Sequence, residues 1–511
     1  MKRLVAITLI LSLLLSTAPF CALAAEQGGE KPEQASVASA SLELSLFQSG
    51  ISLSGARAEQ PQYAAALEKL EQGVSNYMSS VRIDQYNIPL DQFANLFADL
   101  LYGNPQFFYL DPYVECQYDQ DSFIIYSMEL HYLYSLETAE TMKKEIDKKV
   151  SPIMDMAGKL QSDLEKILYI HDYLALNCSY DVELSRDSYN IYGCLINRRA
   201  VCQGYALASK YLFDLLNIPC NFVNSDPMNH GWTLVELDGS WYHMDPTWDD
   251  PLPDMLGRVR HQNFLKSDAA MRANGYSGWD ADKTADNTKY DEYFWNTVST
   301  AFIALDDGLF YISNDGVLMK WNAQTNQTQQ LPSTQGKWFY WGNPSVYYTE
   351  YYANLVQANG LLYYNTDTKI YSIKPDGTDN KAVFELPKDA QGYIYGIQFI
   401  DGELVYALKT SPTAEETLCH DAGILDTSFD VEQSPYTLGD VNGDGVISVS
   451  DVLLAQKKIA KILELTQQQF DAADVNRDGE VSAYDVTQIQ RKIAGMTTAF
   501  QPPAKTKNKN G

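Results

Sequence analysis

Cysteine is scarce. The 511 residues hold seven, scattered rather than regularly spaced, so no disulfide framework organises the fold. Basic residues are also few: 38 Lys and Arg stand against 66 Asp and Glu, a formal charge of −28. That balance excludes nucleic acid as a partner, because phosphate backbones are held by Lys and Arg. No stretch beyond the N-terminus is long and apolar enough to cross a bilayer. The early run Leu4 to Leu15 is short, follows Lys2 and Arg3, and leads to Ala22-Leu23-Ala24. A basic start, a short apolar core and an A-x-A site read as a secretory signal over residues 1–24. The expected product is released and extracellular, with room for about three domains at ~150 residues each.

Residues 25–60 are rich in Ala, Ser, Gln, Gly and Glu and read as a flexible lead-in, with one candidate strand at Leu42 to Phe47. Helical spacing follows at residues 61–80 and from Leu90 to Tyr102. The aromatic and β-branched stretches Phe107 to Tyr113 and Ser122 to Tyr134 predict strands. Two more helices are expected at Ala139 to Lys149 and Gln161 to Leu176. This mixed texture runs without a linker to residue 297 and predicts one α+β unit. From Val298 to about residue 432 short strands alternate with Asp-Gly and Asn-Gly turns, as in Gly308-Leu309-Phe310-Tyr311-Ile312 and Gly360-Leu361-Leu362-Tyr363-Tyr364. These pieces predict a β-rich module, propeller-like or sandwich. Its dense Tyr and Trp could bind glycan, or could simply pack between strands. The Pro- and Lys-containing residues 497–511 read as a disordered tail.

Within the α+β unit, chemistry gathers around Arg199-Ala200-Val201-Cys202-Gln203-Gly204-Tyr205-Ala206. Apolar residues recur at helical spacing after Cys202, until Asn217-Ile218-Pro219 ends the helix. Cys202 thus stands at a helix N-terminus, where the positive end of the dipole favours a thiolate nucleophile. A strand, Cys220 to Val223, leads to Asn229-His230-Gly231-Trp232. Asp238-Gly239 is a hairpin signal, and the return strand carries Trp241-Tyr242-His243-Met244-Asp245. A two-residue turn pairs Leu237 with Ser240, so paired numbers sum to 477. His230 then neighbours Asp245 diagonally on one sheet face. His243 lies on the same face and is the rival imidazole. Cys202 as nucleophile, His230 as acid–base and Asp245 as orienting carboxylate suit acyl transfer on an amide. The backbone N–H of Cys202 is one candidate oxyanion donor; Asn197, Gln203 and Tyr180 are candidates for a second.

The stretch from about Lys166 to Pro251 resembles the transglutaminase-like superfamily of secreted bacterial proteins. The matching pieces are Ile170-His171-Asp172-Tyr173-Leu174, Ser179-Tyr180-Asp181, Val201-Cys202-Gln203-Gly204-Tyr205-Ala206, His230-Gly231-Trp232 and Asp245-Pro246-Thr247-Trp248-Asp249. The resemblance implies a papain-like transglutaminase core over residues 61–297, with an α+β extension at its start. It also implies a Cys202, His230, Asp245 triad that needs no cofactor. Family members transamidate, cleave or deamidate peptide and protein substrates. A non-catalytic adhesion or binding subunit is the other reading the chain allows.

Near the C-terminus Asp440-Val441-Asn442-Gly443-Asp444-Gly445 returns 34 residues on as Asp474-Val475-Asn476-Arg477-Asp478-Gly479. Asp440, Asn442, Asp444, Ser448 and Asp451 take the side-chain positions of a calcium loop, with the Val446 carbonyl between them. Asp474, Asn476, Asp478, Ser482 and Asp485 repeat the set, with the Glu480 carbonyl. Two structural Ca2+ ions are expected. Each loop precedes a helix, and residues 436–496 resemble a type I dockerin. That resemblance implies a small all-α calcium-binding module docked to a cohesin of a scaffoldin. Val449, Ser450, Ala483 and Tyr484 fall where the family's partner-specifying residues lie.

Overall fold

The computed structural model describes residues 37–44, 60–305, 308–340, 343–347, 351–400, 403–421, 439–443, 447–463, 465–475 and 481–493. The signal segment 1–24 and the tail 497–511 lie outside them. The chain forms two units. One takes in the residues up to Val150 and from Ser162 to Phe302; the other takes in Ser151–Gln161 and everything from Ile303.

The first unit opens with strand β1 (Val37–Glu43). The lead-in therefore does not run unstructured to residue 60. Its strand starts ahead of the expected Leu42, because Val37 to Glu43 alternates in exposure and pairs antiparallel with β3 (Leu110–Asp119). Backbone pairing at a sheet edge needs little apolar content, so composition hid it. With β2 (Ser80–Arg82) and β4 (Ile125–Tyr132) these strands form a sheet of order β1-β3-β4-β2. Helices α1 (Pro61–Ser75) and α2 (Phe93–Gly103) pack together, burying Tyr63, Leu70, Leu96 and Phe97. Phe107 belongs to a single 3-10 turn, Pro105–Phe107, rather than to the following strand, since Pro105 fixes its start. Helix α3 (Leu136–Ala157) follows.

Helix α4 (Asp163–Asn177) begins with a full capping box between Ser162 and Glu165. The short parallel pair β5 (Ser179–Tyr180) and β6 (Arg199–Ala200) ties the end of α4 to the start of α5 (Cys202–Leu215). Asn217, at φ 55°, takes the left-handed turn that stops α5 before Pro219. Then come β7 (Cys220–Ser225), β8 (His230–Leu237) and β9 (Ser240–Met244). Asp238 and Gly239 both have positive φ, the two-residue turn that matches strand twist. Five β8–β9 pairs, from Leu237 with Ser240 to Thr233 with Met244, sum to 477. Helix α6 (Pro246–Asp249), strand β10 (Phe264–Lys266), helix α7 (Asp268–Ala273) and strand β11 (Trp279–Asp280) complete a sheet of order β10-β9-β8-β7-β11. Helix α5 lies across β7 and β8, burying Leu207, Ala208, Leu212 and Phe213.

The unit ends at Phe302 rather than 297. The carbonyl of Val298 accepts from His261 and the N–H of Phe302 donates to Asp172, so both residues belong to it. The second unit holds successive antiparallel meanders: four strands from Ile303–Leu305 to Gln327–Gln330, four from Leu355–Ala358 to Lys381–Glu385, and three from Tyr393–Ile400 to Thr417–Asp421. Four-stranded meanders of this kind are the unit of propeller blades. Ile370, Ile394, Ile397 and Leu404 share one core between the last two sheets. Many of the module's aromatic rings are spent on packing: Trp321, Trp338, Tyr363 and Tyr364 are fully buried.

Gly204, in the first turn of α5, has no room for a side chain. A Cβ there would lie 2.4 Å from the carbonyl oxygen of Ser188, a backbone atom held by the N–H of Val201. Gly204→Ala should therefore destabilise the unit by about 1–3 kcal/mol, read as a lower denaturant midpoint at unchanged slope.

Candidate active site

Cys202 is the first residue of α5, and the residue before it is Val201, whose side chain cannot cap. The N-cap side chain makes no bond to the start of this helix, leaving its first N–H groups without that partner. Both Cys202 and His230 are buried, at 4 % exposure each. His230 Nε2 lies 2.6 Å from Asp245 Oδ2. Cys202 is a close electrostatic neighbour of the imidazole and favours its charged form. Burial alone would strip the ring of its proton. The charge and hydrogen bond of Asp245, then those of Cys202, outweigh burial and push the His230 pKa up to about 10.

Asp245 is fully buried and richly held. Its Oδ1 accepts from the backbone N–H of Thr247 at 3.0 Å and of Trp248 at 3.4 Å, so the carboxylate caps α6. Its Oδ2 accepts from the Tyr276 hydroxyl at 2.6 Å as well as from His230. Burial opposes its charge, but His230 and these donors hold its pKa below the ordinary value. The indole of Trp248 stacks on the His230 ring at 4.7 Å between centroids. His243, the rival imidazole, is engaged elsewhere. It accepts from Trp232 Nε1 at 2.8 Å and bonds Asp268 at 2.9 Å, and burial lowers its pKa.

Two tyrosines feel the charge of Cys202. Tyr180 and Tyr189 are both raised above the usual phenol range, first by burial and next by the charge of Cys202. Asp181 fixes the intervening loop, accepting from the N–H and hydroxyl of Ser185 and from the hydroxyl of Ser188. Of the side chains considered as a second oxyanion donor, Gln203 spends its Nε2 on the Tyr189 carbonyl at 2.8 Å. Asn197 is exposed, ahead of β6 in the chain. Tyr180 is within reach of the charge of Cys202.

Three residues of the motif stretches, His171, Asp172 and Asp249, meet His261 and Asn263 in a buried network. His171 on α4 bonds Asp172 at 2.8 Å through Nδ1 and Asp249 of α6 at 3.1 Å through Nε2. With a carboxylate at each nitrogen, it is pushed up to about 9 against the effect of burial. His261 reaches Asp172 at 3.0 Å, and Asn263 donates twice to Asp249 Oδ1 at 3.1 Å. The ligand-type atoms of His171, Asp172 and His261 lie within 4.8 Å of one another, close enough to hold a metal. Each is already hydrogen-bonded inside the network, which accounts for the arrangement as a brace for α6. His171 and Asp249 are 78 residues apart, and no local pattern links them.

In the C-terminal module, Asp451 accepts from Asn442 N at 2.9 Å and Ser448 N at 2.8 Å; Asp485 accepts from Ser482 N at 2.9 Å and its hydroxyl at 2.8 Å. Asp440, Asp451, Asp474 and Asp485 are all buried, a place for carboxylates that a cation would repay. The helices Val449–Ile459 and Ala483–Ile493 follow the two loops and share a core of Val441, Val452, Val475, Val486 and Ile489. Ser450, Ala483 and Tyr484 are exposed on their first turns. Asp444, Val446, Asn476, Asp478, Glu480 and the side chain of Val449 lie outside the described residues.

Two family models match, the transglutaminase-like superfamily over residues 153–246 and the type I dockerin domain over residues 438–494. The chain carries a transglutaminase-like domain and a type I dockerin domain. Kyphoscoliosis peptidase of Homo sapiens is 24 % identical over 160 residues, which cover 27 % of this chain and 24 % of that protein. The Mus musculus protein is 26 % identical over 132 residues, covering 22 % and 20 %. The chain thus spans about a quarter or less of the curated relatives it matches. The crystal structure of a TGase is similar at 18 % identity and a TM-score of 0.18, over 24 % of this chain and 41 % of that one. The dockerin implies a cohesin as partner, and no helix among the described residues is long and apolar enough to cross a membrane.

The raised His230 pKa sets a pH dependence for the transglutaminase-like domain. A group raised in the folded state stabilises fully below its ordinary value of 6.5 and ceases to do so as pH climbs through about 10. Melting temperature should therefore fall between about pH 6.5 and 10, and His230→Ala should flatten part of that fall, with His171 supplying the rest. An unchanged slope in the variant would contradict the buried ion pair.

Proposed function

We propose that the protein is a secreted, scaffoldin-attached thiol enzyme of the cellulosome type, acting on peptide amides through Cys202, His230 and Asp245. The observation that supports this reading is His230, bonded to the buried Asp245 and held charged in part by its neighbour Cys202. In the proposed reaction the Cys202 sulfur attacks the amide carbonyl while the backbone N–H groups at the start of α5 receive the oxyanion. The C–N bond then breaks, and the imidazolium gives its proton to the leaving amine. Water, deprotonated by the neutral ring, attacks the thioester and releases the acid and the thiol. Asp245 keeps the ring oriented throughout. Hydrolysis is preferred to cross-linking because water is abundant outside the cell, and the peptidase activity in the relatives' name supports the choice. Cys202→Ala should lower peptide hydrolysis, deamidation and amine incorporation by roughly 10⁴-fold. Activity kept in that variant would reject the assignment.

The dockerin reading adds two structural Ca2+ ions, held by Asp440, Asn442, Asp444, Val446, Ser448 and Asp451 in one loop. Asp474, Asn476, Asp478, Glu480, Ser482 and Asp485 hold the other. With cations absent, four buried carboxylates would repel one another in a module with a small core. Chelator added to the intact protein should abolish cohesin binding and reduce helical circular dichroism, and both should return with Ca2+. Binding that survives exhaustive chelation would contradict calcium-dependent docking.

A further inference from the structure

Helix α6 is four residues long, and three of them, Pro246, Thr247 and Asp249, are buried. Trp248 is the exception, 41 % exposed, although the backbone is anchored on both sides of it. On one side the N–H groups of Thr247 and Trp248 donate to Asp245 Oδ1. On the other, Asp249 is gripped by His171 and Asn263. Two buried carboxylates, each needing several donors, are more than a solvent-facing side chain requires for its own sake.

What the anchoring fixes is the plane of the indole. It stacks on the His230 ring at 4.7 Å between centroids and 23° between planes, and it rests against Tyr276 at 4.4 Å. Trp232 also stacks on His230, but at 5.6 Å, and it is fully buried with its Nε1 spent on His243. The face of an indole carries negative potential, so it attracts a cation more strongly than a neutral ring. The contact therefore favours imidazolium over imidazole and opposes rotation of the ring away from Asp245. The other groups around the ring are Asp245, bonded at 2.6 Å, and Cys202, whose charge also favours the imidazolium. Tyr276 lies 6.0 Å away between centroids, with its hydroxyl given to Asp245. Asp245 thus holds the ring by its edge, and Trp248 holds it by its face.

We propose that Trp248 is a positioning residue for the acid–base group, its indole face holding the His230 ring charged and in the plane that proton transfer with Cys202 requires. The proposal rests on the thiol-enzyme reading for its consequence, and its test reads the imidazole directly. The mature chain is isotope-labelled at its six histidines, and each ring is followed by NMR against pH, with single His→Gln variants assigning the signals. Trp248→Leu removes the aromatic face and keeps apolar bulk. It should make His230 roughly threefold to tenfold easier to deprotonate, so that its midpoint falls by about half to one pH unit. Trp248→Phe, which offers a smaller face, should recover about half of that fall. The midpoints of His171 and His243 should stay where they are, because neither ring touches Trp248. The same fall should appear in a Cys202→Ala background, since the attraction does not need the sulfur. A His230 midpoint unmoved by Trp248→Leu, a phenylalanine variant no different from the leucine one, or an equal fall at His171 and His243 would each overturn the role. The expected fall in a protein whose wild-type form cleaves no peptide would leave the positioning standing and remove the hydrolase reading instead.

Discussion

A single buried carboxylate governs the transglutaminase-like domain. Asp245 sits at 0 % exposure, where a lone charge would be prohibitive. Four donors answer it: the imidazole of His230, the hydroxyl of Tyr276 and the N–H groups of Thr247 and Trp248. Each comes from a different obligation of the chain. His230 opens β8, Tyr276 follows α7, and the two N–H groups belong to the turn of helix that Pro246 starts. The hairpin, the helix and the loop beyond α7 must therefore all be in place before the charge can be tolerated. The same demand orients the His230 ring.

The brace under α6 extends the constraint across the domain. Asp249 closes that helix and is gripped by His171 from α4 and Asn263 from the chain before β10. Asp172 in turn holds His261 and the N–H of Phe302. Two carboxylates and two histidines answer one another there, so the network is polar and directional rather than an apolar core. Directional bonds specify geometry better than apolar contacts do. Precision at Asp245 and Trp248 depends on that specification.

Local chemistry was legible in the sequence. Pro219 after a helical pattern, and Asp238-Gly239 between alternating strands, set the ends of α5 and the hairpin register, and the register put His230 and Asp245 on one face. The hairpin register does not choose between His230 and His243, because both lie on that face; the family motif does. In the folded chain Trp232 and Asp268 occupy His243. Tyr276 and the His171–Asp249 contact were hidden: their partners are far apart along the chain, and no periodicity marks them. The strand Val37–Glu43 starts ahead of the expected Leu42 because an edge strand is stabilised by backbone pairing, which composition does not record. The domain boundary near residue 300 was misplaced by a few residues, since two backbone groups, not a change of texture, decide it.

The account depends on Cys202 meeting His230 in the folded protein with the reactivity that an imidazolium confers on a neighbouring sulfur. Its most direct test is the rate of alkylation of each cysteine by iodoacetamide at pH 6, followed by peptide mass spectrometry. Cys202 should react far faster than Cys116, Cys178, Cys194, Cys220 and Cys419, and His230→Ala should remove that advantage. A Cys202 that reacts no faster than the other five, or that keeps its rate without the imidazole, would contradict it.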